Sequence, residues 1–79
     1  MARVLMFGRL ADVAGWRERI VAADRLSALR SAIGERQPEL ARALEPDTVS
    51  VIVNDVLTRG DAPVADADEV AFLPPMRGG

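Results

Sequence analysis

Glu69-Val70-Ala71-Phe72-Leu73-Pro74-Pro75-Met76-Arg77-Gly78-Gly79 is the stretch on which the reading of the fold turns. Alternation along an extended chain puts Val70 and Phe72 on one side and Ala71 and Leu73 on the other. A strand that is apolar on both sides is either covered on both or covered on one while the other awaits a partner. Pro74 and Pro75 then remove two backbone donors and favour an extended path, so the chain leaves the sheet here. The six residues Pro74 to Gly79 can reach up to about 20 Å from the strand. Gly78 and Gly79 lack a Cβ, which makes this end thin enough to thread a narrow channel.

Working outward, Val4-Leu5-Met6-Phe7 opens a second strand of the same double-sided kind, able to run to Leu10, and the two belong side by side in the middle of a sheet. Ala11 to Trp16 reads as a loop or one helical turn, and Arg17 to Ala22 as a hairpin partner of the first strand. Asp24 is placed as an N-cap. Leu26, Leu29 and Ile33 then recur at helical spacing, Gly34 weakens the last turn, and Pro38 ends the helix. Glu39 to Leu44 is expected to add a short turn. Val49 to Val53 reads as a strand, Asn54-Asp55 as a tight turn and Val56-Leu57-Thr58 as its return. One helix covers one face of a sheet, so the order β-β-α-β-(β)-β predicts an α+β protein of β-grasp, ubiquitin-like outline. Strand parity assigns Val4, Met6, Val51, Val53, Val70 and Phe72 to the helix-covered core. It leaves Leu5, Phe7, Ile52, Ala71 and Leu73 as an apolar opposite face, expected to dock partners. Residues 1–73 form the expected domain and 74–79 its flexible tail.

Composition narrows the chemistry. The chain has 79 residues, 49% hydrophobic and 28% charged, which is ordinary for a globular protein and enough for one small core. Cysteine, histidine, tyrosine and lysine are all absent, and the ten basic residues are arginines. No thiol nucleophile, no histidine base and no usual soft-metal ligand set is therefore available, and no metal site is expected. A net charge of −2 with dispersed arginines argues against a nucleic-acid partner. No apolar run approaches the roughly 20 residues of a membrane span, and the N-terminal run is too short for a signal peptide, which points to the cytoplasm. Asp66, Asp68 and Glu69 read as a solvated turn, and Arg59-Gly60-Asp61 as a chance tripeptide. Trp16 reads as a partly buried hairpin residue, and the glycines form no phosphate loop.

Taken together, these stretches resemble the small, sulfur-carrying subunits of molybdopterin synthases, within the wider family of ubiquitin-like sulfur carriers. Val4 to Gly15 is similar to that family's apolar opening and short acidic segment, Val53-Asn54-Asp55 to its central turn, and Asp66 to Gly79 to its ending. Ala67 stands at the usual turn glycine, which predicts a turn without positive φ. Met76-Arg77 replaces a commoner small or β-branched pair. The resemblance implies that the Gly79 carboxylate is adenylated with ATP on an E1-like partner. A sulfurtransferase persulfide then converts it to a thiocarboxylate (1-thioglycine), and no cofactor is stably bound. It further implies insertion of Pro74, Pro75, Met76, Arg77 and Gly78 into the active site of a large subunit, in a two-plus-two heterotetramer, where sulfur passes to a pyranopterin. Catalysis then belongs to the complex and not to this chain alone. Three alternatives stay open: a carrier for thiazole, cysteine or another sulfur-containing metabolite, a ubiquitin-like protein modifier, and a plain interaction module.

Overall fold

The structure, a computed structural model, describes residues 1–75. Parity along the apolar strands organises it. Strand β1 (Ala2–Met6) runs parallel to β5 (Glu69–Leu73), pairing Val4 with Val70 and Met6 with Phe72. Strand β2 (Glu18–Val21) returns antiparallel to β1, while β3 (Ser50–Val53) pairs antiparallel with β5 and with β4 (Val56–Thr58). The five-stranded sheet has the order β2-β1-β5-β3-β4, with the two double-sided strands adjacent at its middle as expected. One face is covered by helices, and the whole is an α+β β-grasp fold. Val4, Met6, Val51, Val70 and Phe72 are buried on that face, and Val53 packs at its margin.

The helical layer is larger than the sequence suggests. The first strand ends at Met6 and not near Leu10, because Gly8 adopts φ 55 and turns the chain into α1 (Arg9–Ala14). Leu10 and Ala14, four residues apart, lie on one helical face and are both buried. Gly15 closes this helix at φ 79, its N–H donating to the Ala11 carbonyl at 2.8 Å. Helix α2 (Leu26–Arg36) buries Leu26, Leu29 and Ile33, and Gln37 separates it from α3 (Pro38–Leu44). The expected short turn is therefore a second helix, and it places Leu40 and Leu44 in the core. Gly34 permits the crossing: a Cβ there would stand 3.1 Å from the Ala41 Cβ. Arg30 ties the two helices by donating to the Leu44 carbonyl at 3.0 Å, with its guanidinium 5.4 Å from the Phe72 ring centroid.

Asp24 is not the cap of α2. The cap position is Arg25, in extended conformation and without a side-chain cap bond. The helix start is held from across the chain instead: the Ser27 amide donates to Asp61 Oδ1 at 2.8 Å, and the Leu26 amide to the Ala62 carbonyl at 2.9 Å. Asp61 also accepts from Arg25 Nε at 2.7 Å and the Ser27 hydroxyl at 3.0 Å. The Ser27 amide first, then Arg25, hold its carboxyl down to about 2. The tripeptide at 59–61 thus contains a tertiary helix cap.

Two turns set the remaining register. Asn54 and Asp55 take φ 47 and 69, the left-handed pair that suits a two-residue hairpin. The Asn54 side chain accepts from the Glu69 amide and donates to Asp68, both at 2.9 Å, locking the hairpin to the start of β5. Asp68 also accepts from the Ala65 amide at 2.7 Å, and that bond, with Asn54 second, lowers its carboxyl pKa. The acidic segment is therefore turn structure, with Asp66 paired to the Met1 amino group and Glu69 to Arg3. The expectation for Ala67 fails: it sits at φ 71, in left-handed geometry despite its Cβ. Its amide donates to the Met1 carbonyl at 3.0 Å, so strand docking imposes a backbone shape that the side chain disfavours.

Candidate functional site

The face of the sheet away from the helices is built by the same alternation that builds the core. Register places Leu5 opposite Ala71, Ala71 opposite Ile52, and Ile52 opposite Leu57, a continuous apolar row across four strands. Leu5, Ile52 and Leu73 are half-buried, Ala71 is 7% exposed, and Phe7 is 45% exposed just past β1. All five residues expected on this face are there, and among the described residues no helix lies over them. Leu57, 56% exposed, joins the row but is not among the five. The two-residue turn at Asn54-Asp55 carried the information, because a 53–56 pairing forces 52 to face 57.

Charge borders the row where β1 begins. Arg3 Nε donates to Glu18 Oε2 at 2.7 Å, and its guanidinium lies 3.3 Å from Glu69 Oε1. All three residues are exposed or half-exposed, so this cluster orients more than it stabilises. A partner docking here meets an apolar row with a polar rim, the usual anatomy of a protein interface.

At its other end the row runs into the point where the chain leaves the sheet. The Phe7 amide donates to the Phe72 carbonyl at 3.1 Å, and β5 ends at Leu73. Pro74 is half-buried, its ring lying where a Cβ on Gly8 would stand 2.9 Å from Cγ. Gly8 thus lets the ring settle against the turn after β1. Pro75 is exposed. A hollow of 520 Å³ at this exit is lined by Phe7, Leu73 and the two prolines together with Thr48, Ser50 and Arg59. Met76, Arg77, Gly78 and Gly79, the rest of the expected tail including its reactive residue, lie outside the described residues.

The described residues offer little chemistry of their own. They contain no buried charged or polar residue and no cluster of acidic side chains able to hold a metal. Trp16, half-buried, donates from Nε1 to Gln37 Oε1 at 2.8 Å, while Gln37 Nε2 donates to the Ala14 carbonyl at 2.7 Å. This joins the end of α1 to the junction of α2 and α3. No helix among these residues is long and apolar enough to cross a membrane. Among the described residues the site is an apolar sheet face that leads to the point where the chain leaves the sheet.

The chain belongs to the ThiS family, whose profile matches residues 4–79. It is 38% identical over 81 residues to the molybdopterin synthase sulfur carrier subunit of Escherichia coli (strain K12), covering all of both chains. Among solved structures it is similar to small archaeal modifier protein 1 of Methanosarcina acetivorans, with TM-score 0.86 at 20% identity, covering 99% of this chain and 95% of that one. It is also similar to a chain in the complex of subunits 1 and 2 of the molybdopterin-converting factor of Helicobacter pylori. There the TM-score is 0.70 at 24% identity, covering 99% of this chain and 97% of the other.

Proposed function

We propose that this protein is a sulfur carrier in molybdopterin synthesis, with the Gly79 carboxylate as its working group. The observation that carries the reading is the unbroken apolar row from Leu57 through Ile52, Ala71 and Leu5, continuing past Leu73 and Phe7 to the proline exit. A partner seated on that row receives the tail at one defined point. The full-length similarity to a molybdopterin synthase sulfur carrier subunit supports this pathway over other sulfur-containing products. The complex of subunits 1 and 2 from Helicobacter pylori supports a large-subunit partner.

A carboxylate resists attack because the nucleophile meets negative charge and must expel an oxide. On an E1-like partner, the Gly79 carboxylate attacks the α-phosphate of ATP and releases pyrophosphate, forming an acyl-adenylate. A sulfurtransferase persulfide displaces AMP, and reduction of the resulting acyl disulfide by a thiol leaves the thiocarboxylate. Its soft anionic sulfur is the nucleophile that the large subunit directs at the pyranopterin. The chain contributes reach, thinness and a docking surface; the partners contribute the basic and acid–base groups that it lacks.

Intact mass after incubation with ATP, the activating enzyme and a sulfur source tests the reading. Loading passes through an acyl-activated intermediate and replaces one oxygen of the free carboxylate with sulfur, adding about 16 Da to the unloaded chain. Deleting Gly79, or adding a residue after it, is expected to abolish loading while changing stability by less than about 0.5 kcal/mol. Equal loading of the extended chain overturns the assignment. Recovery of Gly79 joined to a lysine of another protein replaces it with a modifier function.

A further inference from the structure

A second surface lies on the helix side of the sheet, apart from the docking face and the tail exit. Strand β2 is an edge of the sheet. The Met6 amide donates to the Arg17 carbonyl at 2.9 Å, which fixes the alternation: Arg17, Arg19 and Val21 turn their backbone groups toward β1. Glu18 and Ile20 therefore direct theirs outward, and among the described residues no strand pairs with them. Beside this edge, the C-terminal half of α2 leaves a cavity of 280 Å³ lined by Ile33, Ala32 and Val21, with Trp16, Arg19 and Arg36. That volume falls just below the roughly 300–1,000 Å³ of small-molecule sites and suits a single side chain.

Its charge is one-sided. Arg19 lies over the Trp16 ring, 4.7 Å from the centroid, and Arg36 occupies the last turn of α2. No carboxylate lines the cavity, and among the described residues neither arginine has an ion-pair partner. Arg3 and Arg25, by contrast, are both paired with acidic residues. A free strand edge, a cavity beside it with Val21, Ala32 and Ile33 in its wall, and two unpaired cations at its rim together describe a receptor for an extended strand carrying aliphatic and acidic side chains.

We propose that the groove between β2 and α2 binds an extended acidic and apolar peptide segment of a partner protein. The segment adds to β2 as a further strand, puts one aliphatic side chain over Ile33 and sets carboxylates against Arg19 and Arg36. A second copy of this chain fits poorly, because its own β2 turns Arg19 and not Glu18 to the helix side and so brings another cation to a rim already cationic. The groove opens on the helix side, so a segment there and a partner on the opposite face can bind together.

Trp16, the single tryptophan, reports directly on the groove. The probe is a capped hexapeptide of alternating Ile and Asp, titrated against the full-length protein while tryptophan emission is followed. A saturable shift is expected, absent with the matching Ile and Lys peptide. Ile20→Pro removes an outward N–H without removing a β1 hydrogen bond, and is expected to abolish binding with the circular dichroism retained. Arg36→Glu, on an exposed helix surface, is expected to weaken binding roughly tenfold or more, and keeps the test decisive if the proline variant unfolds. Absence of a saturable shift, equal binding of the lysine peptide, or binding untouched by Arg36→Glu overturns the proposal. Concentration-dependent dimerisation that Ile20→Pro abolishes also overturns it, by giving the edge to a second copy.

Discussion

The two faces of β5 carry nearly the same hydrophobicity and meet opposite fates. Val70 and Phe72 are fully buried beneath the helices. Ala71 and Leu73, one residue along in each case, lie on a face that no helix covers, shielded only by neighbouring side chains in their row. Apolar character therefore does not distinguish a folding face from a binding face. What differs is whether the described chain supplies its own cover, and the face without cover is the one we propose for docking.

The largest effect expected from testing this contrast is at Phe72. Phe72→Ala should cost about 3–5 kcal/mol in urea denaturation, a large fraction of the stability of so small a domain. Near wild-type stability would erase the distinction between the faces. Phe7→Asp probes the other side. It should weaken association with the proposed large-subunit and activating partners by roughly 2 kcal/mol or more, because a carboxylate would be buried unpaired at the interface. Its own stability should stay within about 0.5 kcal/mol, since Phe7 is exposed in the free chain. A matching loss of stability would make Phe7 a folding residue.

A smaller effect is expected at the turn leading into β5. Ala67→Gly should stabilise the protein by about 0.5–1 kcal/mol, since relief of left-handed strain exceeds the added chain entropy. An unchanged urea midpoint would mean that the strain is absorbed elsewhere. The smallest is expected at Asp61, whose exposure lets solvent screen its interactions. Its carboxyl is held at about 2 against an ordinary 3.8, so its contribution is present above about pH 4 and is lost as pH falls toward 2. Asp61→Asn should flatten the fall in urea midpoint across that acidic window. An identical profile for the variant would show that the cap contributes nothing.

Much of the architecture was legible because it follows local rules. Double-sided apolar runs mark the two central strands, and Pro38 marks the helix boundary. Asn54-Asp55 marks a hairpin whose register can be counted outward to Leu57. The candidate face was legible for the same reason, as strand parity needs no tertiary information once the strands are placed. The segment that forms the helix at 9–14 reads only as a loop or one helical turn from residue 11, because Leu10 and Ala14 alone signal its buried face. The helix at 38–44 was underestimated because it spans only seven residues and a proline stands at its start. The groove beside β2 had no signal at all. Its lining comes from residues 16–22 and 32–37, which meet only when the edge strand packs past the helix.

Local sequence dictates which residues alternate between the two faces, that the main helix stops before Pro38, and that the strand ends where the prolines begin. Those outcomes rest on φ limits, on periods of two and 3.6 residues, and on side-chain chemistry, all of which act between near neighbours. Contacts between distant parts of the chain settle the rest. They choose Asp61 over Asp24 as the cap of α2, because a carboxylate brought from 34 residues away reaches the Ser27 amide. They hold Ala67 in a left-handed turn, because the Met1 carbonyl takes its amide. Among the described residues they leave one apolar face without a helix over it, because the helices that join the strands pack on the other side.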